Sequence, residues 1–371
     1  MKKVIALLAV ISLTGILSSC EINNVNISKE KENNSIVDKN NYKKNSTNHT
    51  NDENKKQKTQ LNIQEYYPIK ENTRYIYEGT GNEFASYNVY NDYISGEKVQ
   101  QRINNGGTVI ASVIELKDGK LNKIYSRGEV YYRENLLEAT GYGEETLLME
   151  PLKNGTTWTL KDSRVRTITN TSADIMTPTG TFKAIEVTTV STDGKNLDYY
   201  AKNKGLIKSI YISGDTQISS TLSEIEENVP EKQNINFYYP NINDGKIYYK
   251  NKEVSFRTNE ITRKVLAEAY KEEVNNQLGK VFSPNTQINS LYLNNDQHVY
   301  IDLNQDFIKE MQAGAPYETM ILQSVANTFG QYYHSDRVYL TINNNPYESG
   351  HISIKKGEYL KVGLQNIIEM K

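Results

Sequence analysis

Residues 298–307 (HVYIDLNQDF) hold the side chains of this chain whose types and spacing are best suited to chemistry. Asp302 and Asp306 lie four residues apart, and His298 lies four residues before Asp302. Two carboxylates and an imidazole that converge can exchange protons with a substrate or coordinate a divalent cation. The same residues could instead hydrogen-bond to the backbone where a strand leads into a helix. The residues around them indicate which of the two roles applies.

The strand pattern favours a structural role for the first carboxylate. Val299, Ile301 and Leu303 alternate, so they share one face of a strand. Asp302 then points to the opposite face or lies at the strand end, where it can accept backbone N–H hydrogen bonds in the same turn.

The residues that follow are typical of the start of a helix. Asn304 is a favourable N-cap, Asp306 falls in the first turn where a carboxylate suits the helix dipole, and Phe307 turns inward. His298 begins the strand beside a polar turn, and we expect it to be solvated. A metal or acid–base site would need more converging groups. The pattern therefore predicts no metal site and a structural motif made of Val299, Ile301, Asp302, Leu303, Asn304 and Phe307.

Other catalytic signatures are weak. No H-E-x-x-H, G-x-S-x-G, phosphate-loop or C-x-x-C motif occurs. The pattern S-x-x-K occurs at 28–31 and 353–356, as expected by chance in a chain rich in lysine. We predict that the protein is not an enzyme and needs no cofactor. A hydrolase whose site is not visible in the sequence is the least favoured alternative.

The size and charge of the chain limit the classes of protein to which it can belong. Its 371 residues suffice for two domains, and 37% hydrophobic residues can form their cores. The formal net charge of −2, from 43 basic and 45 acidic residues, gives no overall attraction to nucleic acid. We therefore expect no nucleic-acid partner.

The N-terminal end has the pattern of an export signal. Lys2 and Lys3 precede an apolar run at 4–17 that is short for a membrane span. The run ends in LSSC at Cys20, the only cysteine, and this resembles the lipobox of bacterial lipoproteins. The resemblance implies removal of residues 1–19, a diacylglyceryl group on Cys20, and anchoring on the extracytoplasmic face of the cell membrane. The alternative is an ordinary signal peptide with an incidental cysteine.

Residues 20–60 are predicted to form a disordered tether. Apolar residues are sparse there and Tyr42 is the only aromatic side chain. Such a segment buries too little apolar surface to offset the entropy lost on ordering.

Residues 61–228 have the pattern of a β-rich domain. Short alternating runs are separated by turn dipeptides such as Asp118-Gly119, which favour antiparallel hairpins. We expect a meander, either a curved sheet or a partly closed barrel. The segments 68–77 and 151–160 share a pattern, which indicates a duplicated half-domain or, as we favour, two similar hairpin starts.

The C-terminal third changes to a mixed pattern after an acidic linker predicted at 229–235. Residues 236–371 read as strand, helix, strand, strand, helix, strand with a C-terminal extension. The economical arrangement is a small α+β sandwich, with two helices on one face of a three- to four-stranded sheet.

Two segments of this third resemble the GerM domain of bacterial sporulation and spore-germination lipoproteins. VYIDLNQDF is similar to the V-x-V-D-L-S-x-x-F signature of that family, and ILQSVANTFGQYYHSDRVYLTINNNP is similar to its second half. The resemblance covers about 236–350. Asn304 departs from the usual serine, and NNNPYESG departs from the usual glycine-bearing turn. The resemblance implies a ring-building-type module for protein–protein assembly at the cell envelope, without catalytic residues.

Two kinds of interaction follow from these patterns. Tyr300, Tyr339 and Thr341 fall on the outer face of the predicted sheet, where they could bind other envelope proteins or a second copy. The alternative is a ligand- or cell-wall-binding lipoprotein, in which aromatic residues of the β-rich domain form a platform for sugars. The candidates for that platform are Tyr131, Tyr132 and Trp158.

Overall fold

The computed structural model describes residues 61–272 and 277–370. The signal peptide, the tether and the lipid-attachment residue Cys20 lie outside the described residues, so they stay predictions. Within the described ranges, no helix combines the length and the apolar character that a membrane crossing needs.

A single antiparallel sheet of twelve strands forms the N-terminal domain, after a short 3-10 helix at Ile63–Tyr66. Each strand pairs with the next along the chain, except that β1 pairs with β12 and that β6 and β7 form the two ends of the sheet. The strands are β1 Thr73–Thr80, β2 Tyr87–Ser95, β3 Lys98–Asn104, β4 Val109–Lys117, β5 Lys120–Arg127, β6 Glu145–Met149, β7 Thr157–Thr159, β8 Val165–Thr177, β9 Gly180–Ser191, β10 Gly194–Ala201, β11 Gly205–Ser213 and β12 Thr216–Glu227.

The turns of this sheet follow from their sequences. Asp118 and Gly119 join β4 to β5 with φ values of 51° and 67°. Two successive residues with positive φ make the turn whose twist matches an antiparallel hairpin, and Asp-Gly adopts it at low cost. The structure therefore contains the hairpin that this dipeptide predicts.

The sheet curls until its end strands meet through side chains. Trp158 Nε1 of β7 donates to the carbonyl oxygen of Thr146 in β6 at 3.0 Å. Arg166 Nη1 of β8 donates to the same oxygen at 2.7 Å. No backbone ladder joins β6 to β7, so the sheet is a partly closed barrel, and we call this junction the seam. The β-rich fold class is confirmed.

The linker predicted at 229–235 is not a linker. Strand β13 (Glu231–Asn241) begins inside it and pairs along its whole length with β14 (Lys246–Phe256). Glu231 also binds Arg74 of β1 at 3.1 Å. The first residues of β13 were assigned to the linker because 231–234 are all polar, and β14 was missed because polar residues at 250–253 interrupt its apolar ones.

Two small sheets and three helices form the C-terminal domain, which is α+β as predicted. One sheet has the order β13-β14-β20 and the other has the order β15-β16-β17-β18, with β19 paired to β17. The predicted single sheet is therefore corrected to two. Their remaining elements are α1 Thr262–Lys271, β15 Ile288–Leu293, β16 Val299–Leu303, α2 Asp306–Lys309, α3 Ala315–Tyr332, β17 Arg337–Ile342, β18 Asn345–Pro346, β19 Leu360–Lys361 and β20 Ile368–Glu369.

One hydrophobic core joins these layers, because α3 packs against β13 of one sheet and β17 of the other. Its centre is aromatic, and the rings of Tyr270 and Phe282 have centroids 4.8 Å apart. Tyr132 of the barrel domain belongs to the same core, and the centroids of its ring and the Tyr333 ring lie 4.9 Å apart. The two domains therefore share apolar packing.

Residues 128–144, between β5 and β6, form the interdomain segment, and Arg133 is its central side chain. This guanidinium lies fully buried over the Tyr93 ring, 4.1 Å from the ring centroid. It donates to the carbonyl oxygens of Asp92 at 2.8 Å and Arg257 at 2.9 Å, and also to that of Glu260. Arg133 thus ties β2 to the residues just before α1.

A second buried arginine holds the same segment from the barrel side. Arg102 of β3 donates to the carbonyl oxygens of Val130 at 2.9 Å and Tyr132 at 3.0 Å. Its charge is paired with the fully buried carboxylate of Asp92 at 3.0 Å. The interdomain segment is therefore fixed on both sides.

Candidate functional site: a tyrosine ladder and a barrel cavity

Asp302 is buried at the outer face of the second sheet, with 3% of its surface exposed. Its Oδ1 accepts hydrogen bonds from Thr341 Oγ1 at 2.6 Å and from the backbone N–H of Asn344 at 2.7 Å. Its Oδ2 accepts one from Asn289 Nδ2 at 2.8 Å. The carboxylate therefore fixes the turn after the neighbouring strand, not its own turn as the sequence had indicated.

That turn explains why asparagine can stand where glycine was expected. Asn343 and Asn344 join β17 to β18 with φ values of 47° and 63°. Asparagine tolerates this left-handed region better than most residues, and the bond from Asn344 N–H to Asp302 stabilises it.

Replacement of Asp302 by alanine is expected to lower the free energy of unfolding by about 2 kcal/mol, because three donors lose a charged acceptor. Asp306→Ala is the matched control and should cost less than about 1 kcal/mol, since it removes a carboxylate from the first turn of a short helix. Urea unfolding of both variants measures the difference. Equal losses would contradict the structural role assigned to Asp302.

Of the predictions for the other residues of this motif, one agrees with the structure and one does not. Phe307 is buried in the core, as the pattern predicts. Asn304 is not an N-cap, because α2 begins at Asp306 with Gln305 before it. Its amide instead holds the loop before β15, accepting from Gln287 N and donating to Asn285 O, both at 2.9 Å.

His298 does not join the two aspartates. Its Nδ1 lies 3.5 Å from Asp296 Oδ2, and its ring faces Tyr339 and Tyr359. Within 61–272 and 277–370, no three His, Cys, Asp or Glu side chains converge as a metal site would require. Among these described residues, His298 and the two aspartates therefore do not form a three-ligand cluster of that kind.

The outer face of the second sheet carries a tyrosine ladder, made of Tyr292, Tyr300, Tyr339 and Tyr359. Tyr292, Tyr300 and Tyr339 occupy directly paired positions on β15, β16 and β17. The ring centroids of Tyr292 and Tyr300 lie 5.5 Å apart, and those of Tyr300 and Tyr339 lie 4.7 Å apart, both stacked. Tyr359, just before β19, meets Tyr339 edge-on at 5.8 Å.

The ladder is polar at its border and apolar along its rings. Burial and the hydrogen bond to Asp296 raise the pKa of the Tyr300 hydroxyl to about 12, so it stays protonated. The Arg337 guanidinium lies 4.4 Å from the centroid of the Tyr359 ring. Thr341 shares the face, but its hydroxyl is committed to Asp302.

Sequence reasoning found Tyr300 and Tyr339 of this ladder and missed Tyr292 and Tyr359. Tyr292 could have been found from the register of its hairpin, which places it opposite Tyr300. Tyr359 lies before a two-residue strand that has no pattern of its own.

One end of the ladder lies at a free sheet edge. Among the described residues, β15 pairs with β16 and with no strand on its other side. Tyr292 on this strand is 45% exposed. An unpaired strand beside exposed aromatic rings can accept a strand from another chain.

The sugar platform predicted on the β-rich domain is wrong. Tyr132 is buried in the core of the C-terminal domain, and the exposed Tyr131 stacks on His334 at 5.5 Å. Trp158 lies at the seam and packs against the barrel core. These rings serve two different junctions and form no common surface.

The barrel instead contains a cavity of about 400 Å³ that is partly open to solvent. Its walls are mostly aromatic and aliphatic, and burial raises the pKa of Tyr77, Tyr87 and Tyr200 above the usual range. Arg166, Lys123 and Asp198 give the wall near the seam its charge. No sequence pattern indicates this cavity, because it exists only once the sheet has curled.

A buried ion network supports the charged part of that wall. Glu145 accepts from Arg166 at 2.6 Å, from Lys123 at 2.9 Å and from Arg164 at 3.2 Å. Burial alone would raise the pKa of Glu145, but the three cations lower it below its usual value. Burial does raise the pKa of Asp198, against the effect of Arg166.

The fold and its surfaces define a two-domain protein in which a barrel with an internal cavity precedes an α+β module with an exposed aromatic face. Residues 236–348 match the family model described as Germane, sporulation and spore germination. This part of the chain is a GerM-like domain, as its motifs indicated. No curated protein matches the chain.

Solved structures give weaker likenesses. The tandem GerMN domains of the sporulation protein GerM from Bacillus subtilis are 20% identical, with a TM-score of 0.28, over 35% of this chain and 46% of that chain. A protein described as a lipoprotein from Parabacteroides distasonis is 15% identical, with a TM-score of 0.28, over 43% of this chain and 98% of that one. An exported protein with a YmcC-like fold from Bacteroides fragilis is 13% identical, with a TM-score of 0.27, over the same shares. These scores are too low to carry an argument.

Proposed function

We propose that this protein is a non-catalytic lipoprotein, anchored by Cys20 on the extracytoplasmic face of the cell membrane. Its GerM-like domain mediates protein–protein assembly at the cell envelope, in sporulation or spore germination. The tyrosine ladder beside the free edge of β15 is the observation that carries this proposal.

The ladder suits association for energetic reasons. Tyrosine is enriched at interfaces because it presents a large apolar ring with a polar end. Rings that already stack on one another lose little conformational freedom when a partner covers them. The unpaired N–H and C=O groups of β15 add directional hydrogen bonds at the same place.

The roles of the polar residues support a non-catalytic reading. Asp302 and Asn304 hold turns and loops, and His298 lies against Asp296 and two tyrosines. Inside the barrel, Lys123 and Arg166 pair with Glu145.

Lysine at both Tyr300 and Tyr339 is expected to weaken self-association at least about tenfold, which corresponds to roughly 1.4 kcal/mol. Two charges would have to be desolvated in place of two stacked rings. Sedimentation equilibrium of the full chain in detergent measures the effect. Tyr142→Lys is the control, because Tyr142 is an exposed tyrosine of the interdomain segment that is not part of the ladder.

A heterologous envelope partner is tested by crosslinking in cells from a photoreactive residue placed at Tyr292. A strict monomer at high concentration, together with no crosslinked partner, would refute the assembly role.

A second candidate function is favoured by one observation, the cavity inside the barrel. Its mostly apolar walls suit a small ligand better than a cell-wall polymer. In this case the barrel would be a ligand-binding domain carried by the same lipoprotein.

A further inference from the structure

We propose that the barrel cavity binds a single-chain amphiphile, an acyl chain with an anionic headgroup. This inference rests on the second candidate function and names its ligand class. It is independent of assembly through the tyrosine ladder, because the cavity and the ladder lie in different domains.

The walls of the cavity favour a ligand with a large apolar part. Rings and branched side chains cover most of its surface, although Asn82, Gln101, Asn105, Thr108 and Ser112 also line it. Its apolar wall includes Tyr77, Phe84, Val89, Ile103 and Ile218. An acyl chain needs no hydrogen-bond partner along that wall, whereas each sugar hydroxyl placed against it would need one.

The charged side chains of the cavity favour an anionic ligand. Its lining includes the cations Lys123, Arg166 and Lys204, and Asp198 is its one carboxylate. Glu145, which pairs with Lys123 and Arg166, offsets part of this charge without reversing its sign. Positive charge in a low-dielectric cavity attracts an anionic headgroup more strongly than the same charge in water.

The size and the rim of the cavity fit one chain. A volume of about 400 Å³ lies within the range of roughly 300–1,000 Å³ typical of small-molecule sites. Phe84 of the β1–β2 turn lies against Gly107 of the β3–β4 turn, where a Cβ would come within 2.6 Å of the ring. Gly107 is exposed, so this pair lies at the rim between the cavity and solvent.

The test is a fluorescence titration of the full chain with cis-parinaric acid, a fluorescent fatty acid, in a detergent-free nanodisc. We expect saturable binding with one site per chain. Palmitate should displace the probe, and hexadecanol, which has the same chain length without the charge, should do so at least about tenfold less well. Equal displacement by the two would overturn the anionic part of the proposal.

Two variants test whether the ligand binds inside the barrel. Ile103→Trp fills the cavity and should weaken binding at least about tenfold. Val190→Trp adds the same ring on the outer face of β9, where Val190 is 56% exposed, and should bind as the wild type does. If Ile103→Trp lowers the unfolding temperature markedly, Ile103→Phe replaces it, with a smaller expected loss. Unchanged binding in a folded filled variant would overturn the proposal.

Two further arms separate the ligand source and the two functions. Displacement by palmitate identifies a free fatty acid, and stronger displacement by lysophosphatidylglycerol identifies a membrane lipid; both support the shared chemistry. Displacement by neither would overturn it. The double lysine variant at Tyr300 and Tyr339 should still bind the probe, so loss of assembly and loss of binding are read separately.

Discussion

Replacing Arg133 by alanine is expected to lower the free energy of unfolding by about 3–5 kcal/mol, as breaking a buried ionic network does. The substitution removes the buried guanidinium that donates to the carbonyl oxygens of Asp92, Arg257 and Glu260. The first two oxygens keep a backbone donor, whereas that of Glu260 loses its donor. It also empties the space over the Tyr93 ring that the guanidinium fills. Both effects act at the junction of the domains.

Calorimetry of the full chain measures this loss. The wild type should unfold in one transition, and Arg133→Ala should separate the unfolding of the barrel from that of the GerM-like domain. Arg127→Ala is the matched control, because Arg127 pairs with Glu134 near solvent, at 2.9 Å. That pair is worth at most about 1 kcal/mol. Equal effects of the two variants would show that the buried junction adds nothing.

The second large effect is expected for Glu145→Gln. Glutamine keeps the shape of the side chain but removes the charge that pairs with Arg166, Lys123 and Arg164. Removing one partner of a buried ion group costs about 3–5 kcal/mol, and here the buried Arg166 guanidinium loses its counter-ion. The seam should therefore be the weakest part of this variant.

The loss should depend on pH in a definite direction. The three cations hold the pKa of Glu145 below its usual value of 4.5, against burial, so the ionised form stabilises the folded state. This contribution is complete above the pKa of the unfolded chain and disappears as the pH falls through the lower pKa of the folded state. The difference between wild type and Glu145→Gln should thus be full at pH 7 and shrink below about pH 4.5.

Urea unfolding at several pH values measures this difference. Glu138→Gln serves as the control, since Glu138 is exposed and faces Lys98 at 3.4 Å. Its effect should stay below about 1 kcal/mol at every pH. A constant difference between wild type and Glu145→Gln from pH 7 to pH 3 would contradict the ion network.

The sequence predicts the local features of this fold well. Asp118-Gly119 marks a hairpin, and Val299, Ile301 and Leu303 mark the buried face of β16. These features depend on neighbours along the chain, which periodicity and turn chemistry describe. The GerM-like motif was recognisable for the same reason.

Features that depend on distant residues were not predictable. Strand β14 was missed because its lysines mask the alternation, and only the first residues of β13 were taken for a linker. The three donors to Asp302 come from residues 13 to 42 positions away, so its burial could not be read from its own strand. The barrel cavity and the buried Arg133 arise only from closure of the sheet and docking of the domains.

The fixed interdomain segment has a consequence for any assembly built on this chain. Arg102 holds it from the barrel, and Arg133 within it binds both β2 and the residues before α1, so the barrel cannot swivel freely about the GerM-like domain. Two copies joined through the tyrosine ladder would therefore carry their barrels in one fixed orientation relative to that interface. The spacing between the two barrels would be set inside each subunit, by a joint that is not part of the surface where the subunits meet.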